Sequence, residues 1–252
     1  MKRIGILLAA AVFVMSPAMA AAPAVDVAAA VAAPGRTPDN VKLDESRKPV
    51  EVLSFFGLKK GSRVIDMFGA NRYWAEIMAP VVGPKGHVTV WQPTQFMNDE
   101  RAKAFAEFAK RHKNASLISS PFEAPKLGTN AYDFMIMNLD YHDVYWQNPE
   151  RKIPRMEPDQ WLKVLYAAMK PGATVGIIDH VALPNGDTRA TVEKFHRIDP
   201  EVIKADFQRA GFELVGVRNF LRNPTDDHSL PVFDEKIRGK TDRVVYRFRK
   251  PR

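Results

Sequence analysis

The sequence predicts an α/β fold, a three-layer α/β/α sandwich of Rossmann-like, doubly wound type, and three observations predict it. The first is Arg63-Val64-Ile65-Asp66-Met67-Phe68, a short apolar run carrying an acidic residue, followed by a turn and a helix-like segment over residues 73–80. A first strand, loop and helix of a doubly wound sheet read this way. The second is Asp133-Phe134-Met135-Ile136-Met137-Asn138-Leu139, nearly continuous in apolar character, as a strand buried on both faces should be. The third is the alternation of strand-like and helix-like segments, which ends in two closing strands.

In order, a helix is expected over residues 44–56, with Val50, Leu53 and Phe56 on one side, Pro49 interrupting it and Gly57 stopping it. The first strand covers 63–68, and the next helix, 73 to about 79, turns Trp74, Ile77 and Met78 to the sheet. Gly83-Pro84-Lys85-Gly86 turns the chain into a second strand at 87–91. A helix over 98–110 precedes a short third strand at 116–119, and the fourth strand is the 133–139 run. An amphipathic helix at 158–169 places Trp161, Leu162, Leu165 and Met169 inward and ends at Lys170-Pro171-Gly172. The fifth strand is 174–179. Asp199-Pro200 opens a further helix as N-cap and first helical residue, and Gly211 ends it. Strands at 213–220 and 244–248 complete a seven-stranded sheet, with a long polar loop between them.

The first twenty residues read as a secretory signal peptide. Lys2 and Arg3 precede an apolar run from Ile4 to Met15, too short to span a bilayer comfortably, and Ala18-Met19-Ala20 is a small-x-small cleavage site. The expected localisation is therefore periplasmic or secreted, with no stable membrane anchor once the peptide is removed. Residues 21–35, rich in alanine, valine and proline, are expected to be a flexible leader, and 36–252 the folded domain. The chain has no cysteine, so an oxidising compartment adds no disulfide. Its formal charge is +8, but the basic residues are spread out. The small clusters at 110–113 and 247–252 sit at the ends of elements, where solvated positive charge is common. A nucleic-acid partner is not expected.

The stretches Val64-Ile65-Asp66, Tyr132-Asp133-Phe134-Met135-Ile136-Met137, Met169-Lys170-Pro171-Gly172-Ala173 and Gly211-Phe212-Glu213-Leu214-Val215 carry a resemblance. Over about residues 44–249 the chain resembles the class I S-adenosylmethionine-dependent methyltransferases. Within them it is similar to a group of exported bacterial predicted methyltransferases. These share stretches like Tyr141-His142-Asp143, Asp179-His180, His196-Arg197-Ile198-Asp199, Asp226-Asp227 and Arg238-Gly239-Lys240-Thr241-Asp242-Arg243. The resemblance implies the seven-stranded methyltransferase fold, S-adenosylmethionine as cofactor and a small-molecule substrate. It places Asp66, Gly69, Asn71, Gln92 and Asn138 along the cofactor. The chain departs from the broad family at two places. Ala70, Asn71 and Arg72 stand where that family carries glycines, and Trp91-Gln92-Pro93 stands where it carries an acidic residue for the ribose. Gln92 could hydrogen-bond a hydroxyl, and Trp91 could cover an adenine.

Histidines and aspartates gather where the sheet ends. His142 and Asp143 follow the fourth strand, Asp179 and His180 end the fifth, and His196 and Asp199 lie in the next connection. Three readings stay open. His142 with Asp143 is a general base, as in the plant-type O-methyltransferases that this region resembles; a histidine oriented by a carboxylate suits that task. Alternatively, His142, His180 and His196 bind a metal on a protein of this fold that does not methylate, a binding module or a metal-assisted enzyme. Or these residues are structural, Asp199 capping a helix and the histidines satisfying loop carbonyls. Asp226-Asp227-His228, in the long loop of roughly twenty residues, suggests a lid.

Overall fold

The computed structural model describes residues 26–184 and 186–252. The expected signal peptide, residues 1–20, and the first five residues of the expected leader lie outside the described residues. No helix among them is long and apolar enough to cross a membrane.

Seven strands form one sheet: β1 (Arg63–Met67), β2 (His87–Pro93), β3 (Ala115–Ser120), β4 (Tyr132–Asn138), β5 (Met169–His180), β6 (Glu213–Arg218) and β7 (Arg243–Arg249). Their order is β3-β2-β1-β4-β5-β7-β6. The first five run parallel, and β7 lies antiparallel between β5 and β6. Register sets Met67 beside Met137 and Asn138 beside Ile178, so the carboxyl ends of β1, β4 and β5 lie side by side. The chain order reverses between β1 and β4, the crevice where this architecture places its ligands.

Helices cover both faces. On one, α4 (Pro49–Phe56), α5 (Tyr73–Val82) and α6 (Asp99–Arg111) bury Leu53, Phe56, Trp74, Ile77, Met78 and Phe108 against Val64, Val88, Phe134 and Ile178. The approach is close: a Cβ on Gly176 of β5 would stand 2.3 Å from the Phe56 ring, so only glycine fits there. On the other face, α7 (Pro158–Ala168) and α9 (Pro200–Arg209) bury Trp161, Leu162, Leu165, Ile203 and Phe207 against Ile65, Met135, Val175 and Phe248. The ends obey local rules. Asn98 caps α6 by accepting from Arg101 N, with Asp99 and Glu100 in its first turn and Lys110 and Arg111 in its last. Asp199 caps α9 by accepting from Glu201 N.

Several expectations need correction. Residues 21–35 were to be a flexible leader, yet α1 (Val27–Ala32) lies within them, capped by Asp26, with Val27 and Ala30 buried in the core of the first face. The expected helix at 44–56 is two, α3 (Asp44–Arg47) and α4, because Lys48 takes a left-handed backbone (φ 46°) before Pro49; α2 (Pro38–Val41) precedes them. Pro80 lies inside α5, which continues to Val82. Residues 169–172, expected to end a helix, already belong to β5. A third helix not anticipated, besides α1 and α2, is α8 (Thr188–Phe195), capped by Asp187 and ending directly at His196.

Candidate active site

Beyond β4, Leu139 turns left-handed (φ 68°) and a 3-10 turn over Tyr141–Tyr145 carries His142 under the end of β5. Asp179, the penultimate residue of β5, is fully buried and receives it twice. His142 N donates to Asp179 Oδ2 at 2.9 Å, and His142 Nδ1 lies 2.7 Å from Asp179 Oδ1. Asp179 Oδ1 also accepts from His180 N. The carboxylate that orients His142 is thus Asp179 across the sheet, not its chain neighbour Asp143. Burial alone would lower the His142 pKa, but Asp179, Asp143 and Asp140 together raise it to about 9.

Asp143 lies on the other side of the ring. Its Oδ1 is 3.4 Å from His142 Nε2 and 3.3 Å from His196 Nδ1. That oxygen is buried and accepts no hydrogen bond from the described residues. His196 reaches it from the end of α8 on a left-handed backbone (φ 50°), its ring flanked edge-on by Trp146 and Phe233. His180 lies beside the His142 ring, 5.8 Å between centroids, but outside the group of ligating atoms. Its Nδ1 bonds Thr241 Oγ1 at 2.7 Å, and burial beside the charge of His142 pushes its pKa well below the usual range. The trio that converges is therefore His142, Asp143 and His196, with ligating atoms all within 4.8 Å, and the expected set with His180 is corrected accordingly.

The long loop is tied down. Fully buried Arg197 pairs with Asp226 through both terminal nitrogens, and its Nε donates to Leu230 O. Asp242 receives Arg222, Asn223 N and His228. The Asp226 and His228 of the expected lid thus anchor the loop, while Phe233 from the same loop lies against His196.

At the end of β1 the carboxyl of Asp66 is buried, its Oδ2 has no hydrogen-bond partner among the described residues, and burial pushes its pKa up to about 8. Gly69 packs on it; a Cβ there would stand 2.4 Å from the carboxyl carbon. Asn71 is exposed, and its Oδ1 accepts from Tyr73 N at the start of α5. Gln92 Oε1 accepts from Ala70 N, holding the loop in place of an acidic side chain. Its amide nitrogen bonds none of the described residues. Asn138, half-buried at the end of β4, likewise spends no side-chain atom on the described residues. Phe68 and Arg72 take left-handed backbones (φ 55° and 65°), so the loop turns sharply without glycine there. Trp91 offers no free face: it is wholly buried, its Nε1 bonds Ser120 Oγ, and Phe68 abuts it edge-on.

Arg47, from the end of α3, gave no signal in the sequence. Its guanidinium lies 4.3 Å over the ring of Tyr73, within the field of Asp140, Asp66 and Asp44, and it donates to no acceptor among the described residues.

The architecture has known counterparts. A methyltransferase from Aquifex aeolicus, S-adenosylmethionine-dependent, superposes with a TM-score of 0.56 at 22% identity, over 84% of this chain and 93% of that one. The fold is that of the class I S-adenosylmethionine-dependent methyltransferases. A [4+2]-cyclase, SpnF, shares this fold at a TM-score of 0.59 and 14% identity, over 82% of this chain and 80% of its own. An arsenic(III) S-adenosylmethionine methyltransferase from Chlamydomonas reinhardtii superposes at 0.52 and 17% identity, over 92% and 75%. In sequence, the demethylmenaquinone methyltransferase of Listeria monocytogenes serotype 4a is 25% identical over 131 residues, 51% of this chain and 49% of that protein. That of Listeria innocua serovar 6a matches equally. The chain spans about half the length of the curated relatives it matches. No family model matches it.

Proposed function

We propose that this protein is an exported S-adenosylmethionine-dependent methyltransferase acting on a small molecule with an ionisable hydroxyl. The observation that carries the reading is the pair formed by Asp66, with its unpartnered buried oxygen, and Arg47, with no hydrogen-bond acceptor. A buried carboxyl and a guanidinium at the ends of β1 and α3 suit the ammonium and carboxylate of an amino-acid moiety, which S-adenosylmethionine carries. The residues fit that end of the cofactor. Gln92 Nε2 and the Asn138 amide are the remaining donors and acceptors along the same edge. When bound, the cofactor supplies an electrophilic methyl group.

The chain's own residues supply the rest. Asp179 fixes the ring of His142 and leaves Nε2 facing Asp143. A substrate hydroxyl reaching Nε2 would meet a base that holds a proton firmly. Its pKa near 9 makes it a strong acceptor once deprotonated, so the reaction should quicken on the alkaline side.

The test is calorimetric titration of the mature protein with S-adenosylmethionine. Micromolar binding, weakened at least about tenfold by Arg47→Ala, a loss of about 1.4 kcal/mol, supports the reading. The absence of binding would sink it and favour the non-methylating alternative, which the left-handed, glycine-poor loop and the [4+2]-cyclase of the same fold support. Export has its own test: the periplasmic form should begin at Ala21, by N-terminal mass.

A further inference from the structure

We propose that His142, Asp143 and His196 form a site for one divalent first-row transition ion, with an open position toward the cleft. The site goes beyond methyl transfer: a bound ion would occupy His142 Nε2, so the loaded chain is a different state from the one in which that nitrogen serves as base.

The geometry is that of a ligand set. Asp143 Oδ1 stands 3.4 Å from His142 Nε2 and 3.3 Å from His196 Nδ1. A tetrahedral ion with bonds of about 2.0–2.1 Å has ligand edges of roughly 3.3 Å. A hydrogen bond does not account for these contacts, because the oxygen is buried and accepts none. A metal ion among the three groups, taking the place of the proton on His142, would give that buried oxygen the bond it lacks among the described residues.

The surroundings agree. His142 gives Nδ1 to Asp179, which fixes its tautomer and leaves Nε2 for a metal, the carboxylate–histidine arrangement that supports metal ligands. His196 is held by the aromatic rings of Trp146 and Phe233 and by a backbone conformation that a non-glycine residue adopts only under constraint. Two imidazoles and one carboxylate suit zinc, iron(II) or cobalt(II) over magnesium or calcium, which prefer oxygen. Three protein ligands leave a position where water or a substrate oxygen can bind, as in catalytic centres. The ends of β4 and β5 and the end of α8 thus supply a site that no single stretch of sequence contains.

The experiment uses the mature protein after dialysis against a chelator. Zn²⁺ is titrated by calorimetry and Co²⁺ by visible absorption. One ion per chain is expected, with the intense d–d bands of a low-coordinate Co²⁺ site. His196→Ala and Asp143→Ala should each abolish stoichiometric binding, and Asp179→Asn should weaken it about 10- to 100-fold. His180→Ala should leave it essentially unchanged. Absent binding, or binding that survives both His196→Ala and Asp143→Ala, overturns the proposal; survival in one alone removes that residue as a ligand and overturns the three-ligand site. Circular dichroism of each variant verifies folding, and the Co²⁺ spectrum of the unaltered protein decides the matter should a variant not fold. Neither readout involves S-adenosylmethionine, so failure here and failure of methyl transfer are told apart.

Discussion

Asp179 holds His142 by two bonds, one to the imidazole and one to the backbone amide, so a single fully buried carboxylate fixes both the ring and the turn that carries it. A third bond, to His180 N, leaves the carboxylate no freedom. This clamp joins the end of β5 to the turn after β4, and it decides where every other group of the site can stand.

Removing the clamp should therefore cost more than removing a site residue that accepts no bonds. Asp179→Ala strands two buried amides and an imidazole, and should lower stability by about 3–5 kcal/mol. Asp143→Ala, which breaks no hydrogen bond, should stay within about 1 kcal/mol of the unaltered protein. Urea unfolding of the two variants measures the contrast; equal losses would mean that Asp179 does not organise the turn.

Asp66 makes stability depend on pH. Its carboxyl titrates near 8 in the folded chain against 3.8 in the unfolded one, because burial disfavours the charge. The folded state thus holds the proton over a range where the unfolded state has released it. Stability should fall as pH rises from about 4 to 8. Asp66→Asn, which cannot ionise, should flatten that slope and gain relative to the unaltered protein at pH 8. Melting temperatures across the range check the sign.

Gly69→Ala should destabilise through its clash with Asp66. The new methyl carbon would lie 2.4 Å from the Asp66 carboxyl, while the backbone at Gly69 is open to any residue. A loss of about 1–3 kcal/mol is expected. Asp66→Ala in the same chain should recover most of it, a coupling that a double-mutant cycle reads directly.

Arg197 and Asp226 form a bidentate pair with both side chains inside the protein. Arg197→Ala leaves Asp226 buried without its cation and should cost about 3–5 kcal/mol. It should also expose the 222–240 segment to limited proteolysis, since Arg197 anchors that segment at Asp226 and Leu230. If the segment resists proteases as before, its anchorage lies elsewhere.

The sheet was legible because its rules are local. The apolar run at 133–139, the acidic turn at Asp66 and the Asp199-Pro200 cap each announce an element within a few residues, and each stands where expected. The sequence also determined that histidines and aspartates follow the fourth and fifth strands, hence that they share one edge. It could not determine partners. Asp143 is the neighbour of His142 in the chain, but a 3-10 turn sends Asp179 to one ring nitrogen and Asp143 to the other. His180 adjoins the cluster and keeps its ring beside His142, but Thr241, sixty-one residues on, takes its Nδ1. Arg47 comes to lie over Tyr73, twenty-six residues on, from the end of a helix that Lys48 closes on a left-handed backbone. The physical reason is common to all three. Periodicity and capping act over a few residues, whereas the partner of a buried polar group is whichever long-range neighbour the packed sheet and helices bring within hydrogen-bond reach.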